Sequence, residues 1–338
     1  MRKIKIAIIG ANENSHASPV TDTLRNLTDV FEVVGYTLPE NEEEKFPSII
    51  EKSYLGLKKL TLNEILEDKE IEAVAVETEE IYLTKYTTLC AKYGKHIHME
   101  KPGGTSLPDF EKMIGEVKKS GKVFHTGYMY RYNPVISDVL KRAKAGEFGE
   151  IISIEAQMNC PHKKEIRQWL EVFPGGMMFF LGCHLIDFIY NIQGEPENII
   201  PLNRSTGHEG VTADDFGMVV LEYKRGVSFA KTTSAEKGGF WRRQIVICGT
   251  EKTIEIKPLE MYAEGEGVAP LTTSAKEYST NDWGDEGKRY KSEAFDRYAP
   301  MMLGFAEMVR GEKVNPYTPD YELRLYKMVL KACGGDNE

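Results

Sequence analysis

Ile4-Lys-Ile-Ala-Ile-Ile-Gly10 is a short run in which every residue but Lys5 is apolar, and it stops on a glycine. Such a run, rich in β-branched residues, reads as a strand buried on both faces. Ser18-Pro19 then looks like an N-cap with proline at the first helical position, and Val20, Leu24 and Leu27 fall on one helix face. Further strands are expected at Phe31 to Thr37, Ile71 to Val76, His96 to Met99 and Lys122 to Thr126. Between them lie the amphipathic segments Leu62 to Leu66, Tyr82 to Tyr93 and Pro108 to Lys119. Strict β-α alternation of this kind predicts a doubly wound parallel sheet covered by helices.

The rhythm changes after about residue 126. Helices are expected at Pro134 to Ala145 and Met177 to Ile192, and then strands follow strands: Asp215 to Tyr223, Gly226 to Ser234, Arg243 to Cys248, Thr253 to Ile256. Helices from Phe295 to Val309 and Tyr321 to Ala332 close the chain, and Glu264 to Gly287 reads as a long polar loop. The expected fold is α/β: a Rossmann domain over residues 1–125, then an α+β domain with a large, mostly antiparallel sheet over residues 126–338.

Composition removes other classes. At 338 residues the chain can bury a substantial core, and 43 basic against 52 acidic residues give a net charge of -9, the wrong sign for a nucleic-acid binder. The five cysteines are widely spaced with no CxxC pair, which speaks against a disulfide framework and against a metal site. No apolar stretch approaches membrane-spanning length, so the expected setting is cytoplasmic.

A dinucleotide-binding G-x-G-x-x-G loop would follow the first strand. Here the loop is Gly10-Ala-Asn-Glu-Asn-Ser15: Gly10 survives for the tight turn, while Asn12 and Ser15 replace the second and third glycines, predicting a longer, remodelled loop up to Ser18. Leu38 stands where an acid would hold the ribose hydroxyls, followed by the acidic run Glu40 to Glu44. That run is either a solvated loop or, if a cofactor binds, a source of repulsion toward the extra phosphate of NADP, which makes NAD the preferred cofactor.

Three motifs carry a family resemblance: Lys95-His-Ile-His-Met-Glu-Lys-Pro102, Gly127-Tyr-Met-Tyr-Arg-Tyr-Asn-Pro134, and Gly175-Gly176 followed by Gly182-Cys-His184-Leu-Ile-Asp187. In order and spacing they resemble the glucose-fructose oxidoreductase / inositol dehydrogenase / MocA family over nearly the whole chain. The resemblance implies a nicotinamide cofactor, a sugar or cyclic polyol as substrate, and a homodimer or homotetramer. It implies Lys101 as the active-site lysine and His184 as the catalytic histidine. A histidine titrating near neutrality can accept a hydroxyl proton, and an ammonium can favour negative charge on that oxygen. Glu100, Lys101 and Pro102 are expected near the cofactor, together with Thr78. Arg167 and Trp169 lie where family members line the sugar pocket, although a buried structural Trp fits equally. Arg131 binds an anion or pairs with an acid across the domain joint.

The chain departs from the family too. Phe180 replaces an aspartate four residues before His184, leaving Asp187, on the same helix face, to set the tautomer of His184. Thr78-Glu79-Glu80 and Leu83 replace a usual Thr-Pro-Asn and histidine. The leading expectation is an NAD(P)-dependent oxidoreductase acting on a sugar, polyol or related hydroxy compound. The alternatives are a catalytically silent sugar- or nucleotide-binding sensor or scaffold, and a redox-assisted lyase or epimerase.

Overall fold

The computed structural model describes residues 2–263 and 270–335. The chain divides into two compact units, Met1–Met129 with Tyr298–Tyr326, and Tyr130–Arg297 with Lys327–Glu338.

The first unit is built on β1 (Ile4–Ile9), β2 (Phe31–Thr37), β3 (Ala73–Val76), β4 (His96–Met99) and β5 (Phe124–Thr126), all parallel, in the order β2-β1-β3-β4-β5. β1 and β3 are central and almost wholly buried, which is why they read as continuous apolar runs. Helices α1 (Ala17–Asn26), α2 (Glu42–Lys45), α3 (Pro47–Lys52), α4 (Leu62–Glu67), α5 (Leu83–Lys92) and α6 (Leu107–Ser120) connect the strands. α4 starts with a capping box between Thr61 and Glu64, and α6 has Pro108 in its first turn.

The second unit has α7 (Pro134–Lys144), α8 (Lys164–Trp169) and α9 (Cys183–Gln193) packed with an eight-stranded sheet. The sheet joins β6 (Ile151–Asn159), β7 (Asn198–Pro201), β8 (Phe216–Glu222), β9 (Val227–Thr233), β10 (Gln244–Gly249), β11 (Thr253–Ile256), β14 (Ser274–Tyr278) and β15 (Lys288–Lys291). Its order is β15-β14-β11-β10-β6-β9-β8-β7; only the β6/β9 pair is parallel. β12 (Met261–Tyr262) and β13 (Leu271–Thr272) form a separate two-stranded ribbon. Asn133 caps α7 by accepting from the N–H groups of Val135 and Ile136, with Pro134 at the first helical position.

Several expectations change. α1 begins at Ala17, and the Ser18 hydroxyl bonds Ser53 instead of capping. The central strand β6 was not expected at all. Residues 271–278, expected as loop, form β13 and β14, while 264–269 of that expected loop lie outside the described residues. The expected helix from Phe295 starts at Ala299 as α10 (Ala299–Val309) and belongs to the first unit; α11 (Pro319–Ala332) follows. In the first unit Phe305 of α10 packs on His98 and His125, and Tyr326 stacks on Phe110 with ring centroids 3.9 Å apart. Among the described residues no helix is long and apolar enough to cross a membrane. No group of three or more His, Cys, Asp or Glu side chains among them is placed to hold a metal ion.

Candidate active site

In doubly wound sheets ligands bind beyond the carboxyl ends of the strands, where the strand order reverses. In this sheet that point lies between β1 and β3, whose carboxyl ends lead into Gly10 and Glu77. Gly10 has φ +101, and a Cβ there would stand 2.4 Å from the Thr78 backbone nitrogen. Only glycine therefore allows the turn to lie against the loop after β3, which assigns Thr78 a backbone role. The Tyr54 hydroxyl donates to the Gly10 carbonyl at 2.6 Å.

The acid that the β2 end lacks comes from further on. Leu38 follows β2 and supplies none, but Glu42 of α2 is fully buried and accepts from the backbone N–H of Ala11 (3.0 Å) and of Glu79 (3.2 Å). The reading of the acidic run as a solvated loop is thus corrected for this residue. Glu40 and Glu43 do face outward, pairing with Lys85 and Lys59. Burial pushes the Glu42 carboxyl up to about 8, against the pull of its two N–H donors.

Asn12 donates from its amide to Glu80 at 2.9 Å and receives the Asn14 N–H on its oxygen at 3.1 Å. Ser15 and His16 both turn to Glu100, at 2.9 and 3.0 Å. Lys101 is 2% exposed, its Nζ 3.6 Å from Glu100 Oε1, and the Lys101-Pro102 peptide is cis. Burial works against charge on Glu100, but the His16 ring, Lys101 and the Ser15 hydroxyl outweigh it and hold the carboxyl at about 2. Glu77 goes the other way: burial, then Glu100 and Glu80, raise it well above the ordinary range. Neither of its oxygens receives a hydrogen bond among the described residues, and His98 Nε2 stands 3.5 Å away. Burial also raises Glu80 to about 7, with Lys101 opposing. Of two coupled carboxyls, Glu100 is the ionised one and Glu77 holds its proton.

A raised carboxyl pKa links folding to protons. For Glu80, free in the unfolded chain near 4.5 and about 7 when folded, the neutral form favours folding; that contribution is complete below pH ~4.5 and lost as pH rises through about 7. Glu80→Gln should therefore flatten the pH dependence, its stability relative to wild type improving by ~2 kcal/mol between pH 5 and pH 8.5. Urea unfolding at the two pH values measures this; parallel curves for both proteins would contradict it.

In the second unit, a π-helical turn over Met178–Gly182 leads directly into α9, with His184 in the first turn of α9. Such turns recur at functional sites. His184 is 3% exposed, and its ring meets Tyr130 edge-on at 5.1 Å. Phe180, at the family's aspartate position, joins an aromatic cluster: Trp169 packs on it at 5.3 Å and on Phe173 at 4.9 Å. Trp169 is thus placed as a packing residue. Arg131 pairs with Asp187 through three donor contacts of 2.7–3.1 Å, both residues belonging to the second unit and not to two different domains. Arg167 donates to the His208 carbonyl (3.2 Å), Asp215 (3.2 Å) and Glu209, and so braces the 205–215 loop.

These features fit a dinucleotide at the first unit. The turn has the Cβ-free approach that cofactor recognition needs, and its Ala11 N–H is already directed at a carboxyl oxygen. An incoming hydroxyl or phosphate that takes this N–H competes with Glu42.

Sequence comparison matches residues 4–128 to an oxidoreductase family with an NAD-binding Rossmann fold and residues 137–255 to the GFO/IDH/MocA C-terminal domain. The chain is 24% identical over 288 residues to myo-inositol 2-dehydrogenase of Thermotoga maritima, covering 82% of this chain and 80% of that one. It is 34% identical over 100 residues, 29% of each chain, to scyllo-inositol 2-dehydrogenase (NAD(+)) of Bacillus subtilis. Among solved structures, the aldose-aldose oxidoreductase of Caulobacter crescentus, complexed with glycerol, superposes with TM-score 0.77 at 16% identity, covering 98% of both chains. A 3-ketoreductase of Actinomadura kijaniata, in complex with NADP and TDP-benzene, gives TM-score 0.75 at 16% identity over 97% of this chain and 96% of that one. With both of its domains matched in order, the chain belongs to the GFO/IDH/MocA family of NAD(P)-dependent oxidoreductases.

Proposed function

We propose that this enzyme oxidises or reduces a carbinol carbon of a sugar or cyclic polyol, with NAD in preference to NADP. The observation that carries the reading is Lys101: an ammonium almost wholly withdrawn from water at the carboxyl edge of a Rossmann sheet, next to a carboxyl held ionised. Relatives named as inositol dehydrogenases support the substrate class.

The residues that would hold the dinucleotide are Gly10, Asn12, Ser15, Thr78, Glu100, Lys101 and Pro102, with Leu38 beside the adenosine ribose. When bound, the nicotinamide supplies or accepts the hydride. Lys101 hydrogen-bonds the reacting oxygen and favours negative charge on it. His184 takes the hydroxyl proton in oxidation and returns it in reduction. Tyr130 holds the His184 ring from its edge. Asp187, neutralised by Arg131, acts as a positioning residue on the same helix. The acids of the run that face water, Glu43 and Glu44, supply the preference for NAD, since negative charge there disfavours a ribose phosphate.

Calorimetric titration tests this reading. NADH is expected to bind in the micromolar range and NADPH at least about tenfold more weakly, with the double variant Glu43→Gln/Glu44→Gln narrowing the difference. A second reading has its own observation: with Glu42 on the Ala11 N–H and Glu77 and Glu80 buried nearby, the chain can serve as a silent sugar binder. Failure of NAD, NADH and NADPH all to bind below millimolar concentration would select it.

A further inference from the structure

The turn after β9, Gly239–Arg242, carries two large aromatic side chains in water: Phe240 is 52% and Trp241 63% exposed. Tyr262, on the β12/β13 ribbon, is 58% exposed. All three line one cavity of about 530 Å³, within the size range of small-molecule sites. Keeping three aromatic faces in water costs folding free energy and is characteristic of a surface that recognises something.

The floor of the cavity is charged and ordered. The Glu260 side chain is 5% exposed and held by Arg297, whose Nε donates at 2.8 Å and whose Nη2 donates to the second oxygen. The guanidinium of Arg243 lies 3.8 Å from Glu260 and 4.7 Å from the Phe240 ring centroid, and also donates to the Tyr130 hydroxyl at 3.2 Å. Tyr130 in turn donates to Glu260 at 2.9 Å. The other end of Tyr130 is the ring that packs on His184. One side chain thus separates the cavity floor from the proposed acid/base, entirely within the second unit.

We propose that this cavity is a second carbohydrate subsite, binding the pyranose ring next to the one that reacts, so that the substrate is a glycoside. The inference rests on His184 acting on a sugar. Trp241 and Tyr262 offer flat faces to the apolar C–H surface of a pyranose. Glu260 and the two arginines offer acceptors and donors side by side, matching neighbouring sugar hydroxyls, each of which is both. A second copy of this chain is the competing occupant, but the cores of protein interfaces are depleted of charge, and three charged groups form this floor.

The test is calorimetric titration, without cofactor, with maltose, cellobiose, lactose and xylobiose and with glucose, galactose and xylose. At least one disaccharide is expected to bind about tenfold more tightly than its component monosaccharides. Trp241→Ala and Tyr262→Ala should each remove that difference while leaving monosaccharide affinity and the melting temperature unchanged, because both side chains are exposed. The subsite is overturned if no disaccharide binds at tens of millimolar, or if Trp241→Ala leaves disaccharide affinity intact. It is equally overturned if that variant changes only the oligomeric state seen by light scattering. Disaccharide binding with no turnover of any nicotinamide cofactor would leave the subsite standing and remove the oxidoreductase reading, so the two failures are distinct.

Discussion

Lys101→Met is expected to lower kcat by about 10³-fold while the protein stays folded and binds NADH with an affinity within a few-fold of wild type. Methionine matches the lysine stem in length and apolar character, so packing around this buried side chain is largely kept. What disappears is the ammonium, and with it the hydrogen bond that strengthens as charge grows on the reacting oxygen. A smaller electrostatic change follows in the ground state. Lys101 is one of the groups that hold Glu100 ionised, and its loss makes every carboxyl in the group harder to ionise. Stopped-flow turnover beside calorimetric NADH binding separates the two effects. A kcat within tenfold of wild type would remove Lys101 from the chemistry. His184→Asn should give a loss of the same order and abolish the acidic limb of the kcat/KM profile.

Arg131→Met is expected to cost about 3–5 kcal/mol of folding stability, because it strands the Asp187 carboxylate in the interior without its guanidinium. Both side chains are at most 5% exposed, and Arg131 binds both oxygens of Asp187, so solvent cannot substitute. The double variant Arg131→Met/Asp187→Leu should recover most of that loss, since a pair of apolar side chains leaves no buried charge. Chemical denaturation of wild type, Arg131→Met, Asp187→Leu and the double variant gives the coupling directly. If the single and double variants are equally destabilised, the ion pair is not what the structure depends on there. Activity should follow a different order. The double variant, restored in stability, still lacks Asp187 on the helix that positions His184, and should remain impaired.

The sheet of the first unit was legible because both faces of its strands are buried: Ile4 to Ile9 and Ala73 to Val76 announce themselves by composition alone. β6 did not, because its alternation rests on Ile154, Ala156 and Met158 between polar residues, and alanine and methionine are weak strand markers. β15, Lys-Arg-Tyr-Lys, is an edge strand with no apolar face to read. Lys101 and His184 could be named because short motifs carry them. Glu42 could not, since its partner Ala11 N–H is 31 residues away and nothing local distinguishes Glu42 from the glutamates beside it. Glu77 left a trace that was legible in principle: an apolar strand that ends on a carboxyl. Arg131, left open between an anion and an acid, found the acid. Arg167 braces a loop, and Trp169, left open between a sugar pocket and a structural place, packs in an aromatic cluster.

The assignment of Tyr298–Tyr326 to the first unit sets a clock on synthesis. The nucleotide-binding sheet is finished at Thr126, yet the Phe305 ring that covers His98 and His125, and the Tyr326 ring that stacks on Phe110, leave the ribosome only after Tyr130–Arg297 of the second unit has been made. At roughly 5–20 residues per second, the first unit waits some tens of seconds with part of its core unclad. During that interval the nascent chain exposes apolar surface that holdase chaperones recognise. A gene cut after Met129 would make that transient exposure permanent.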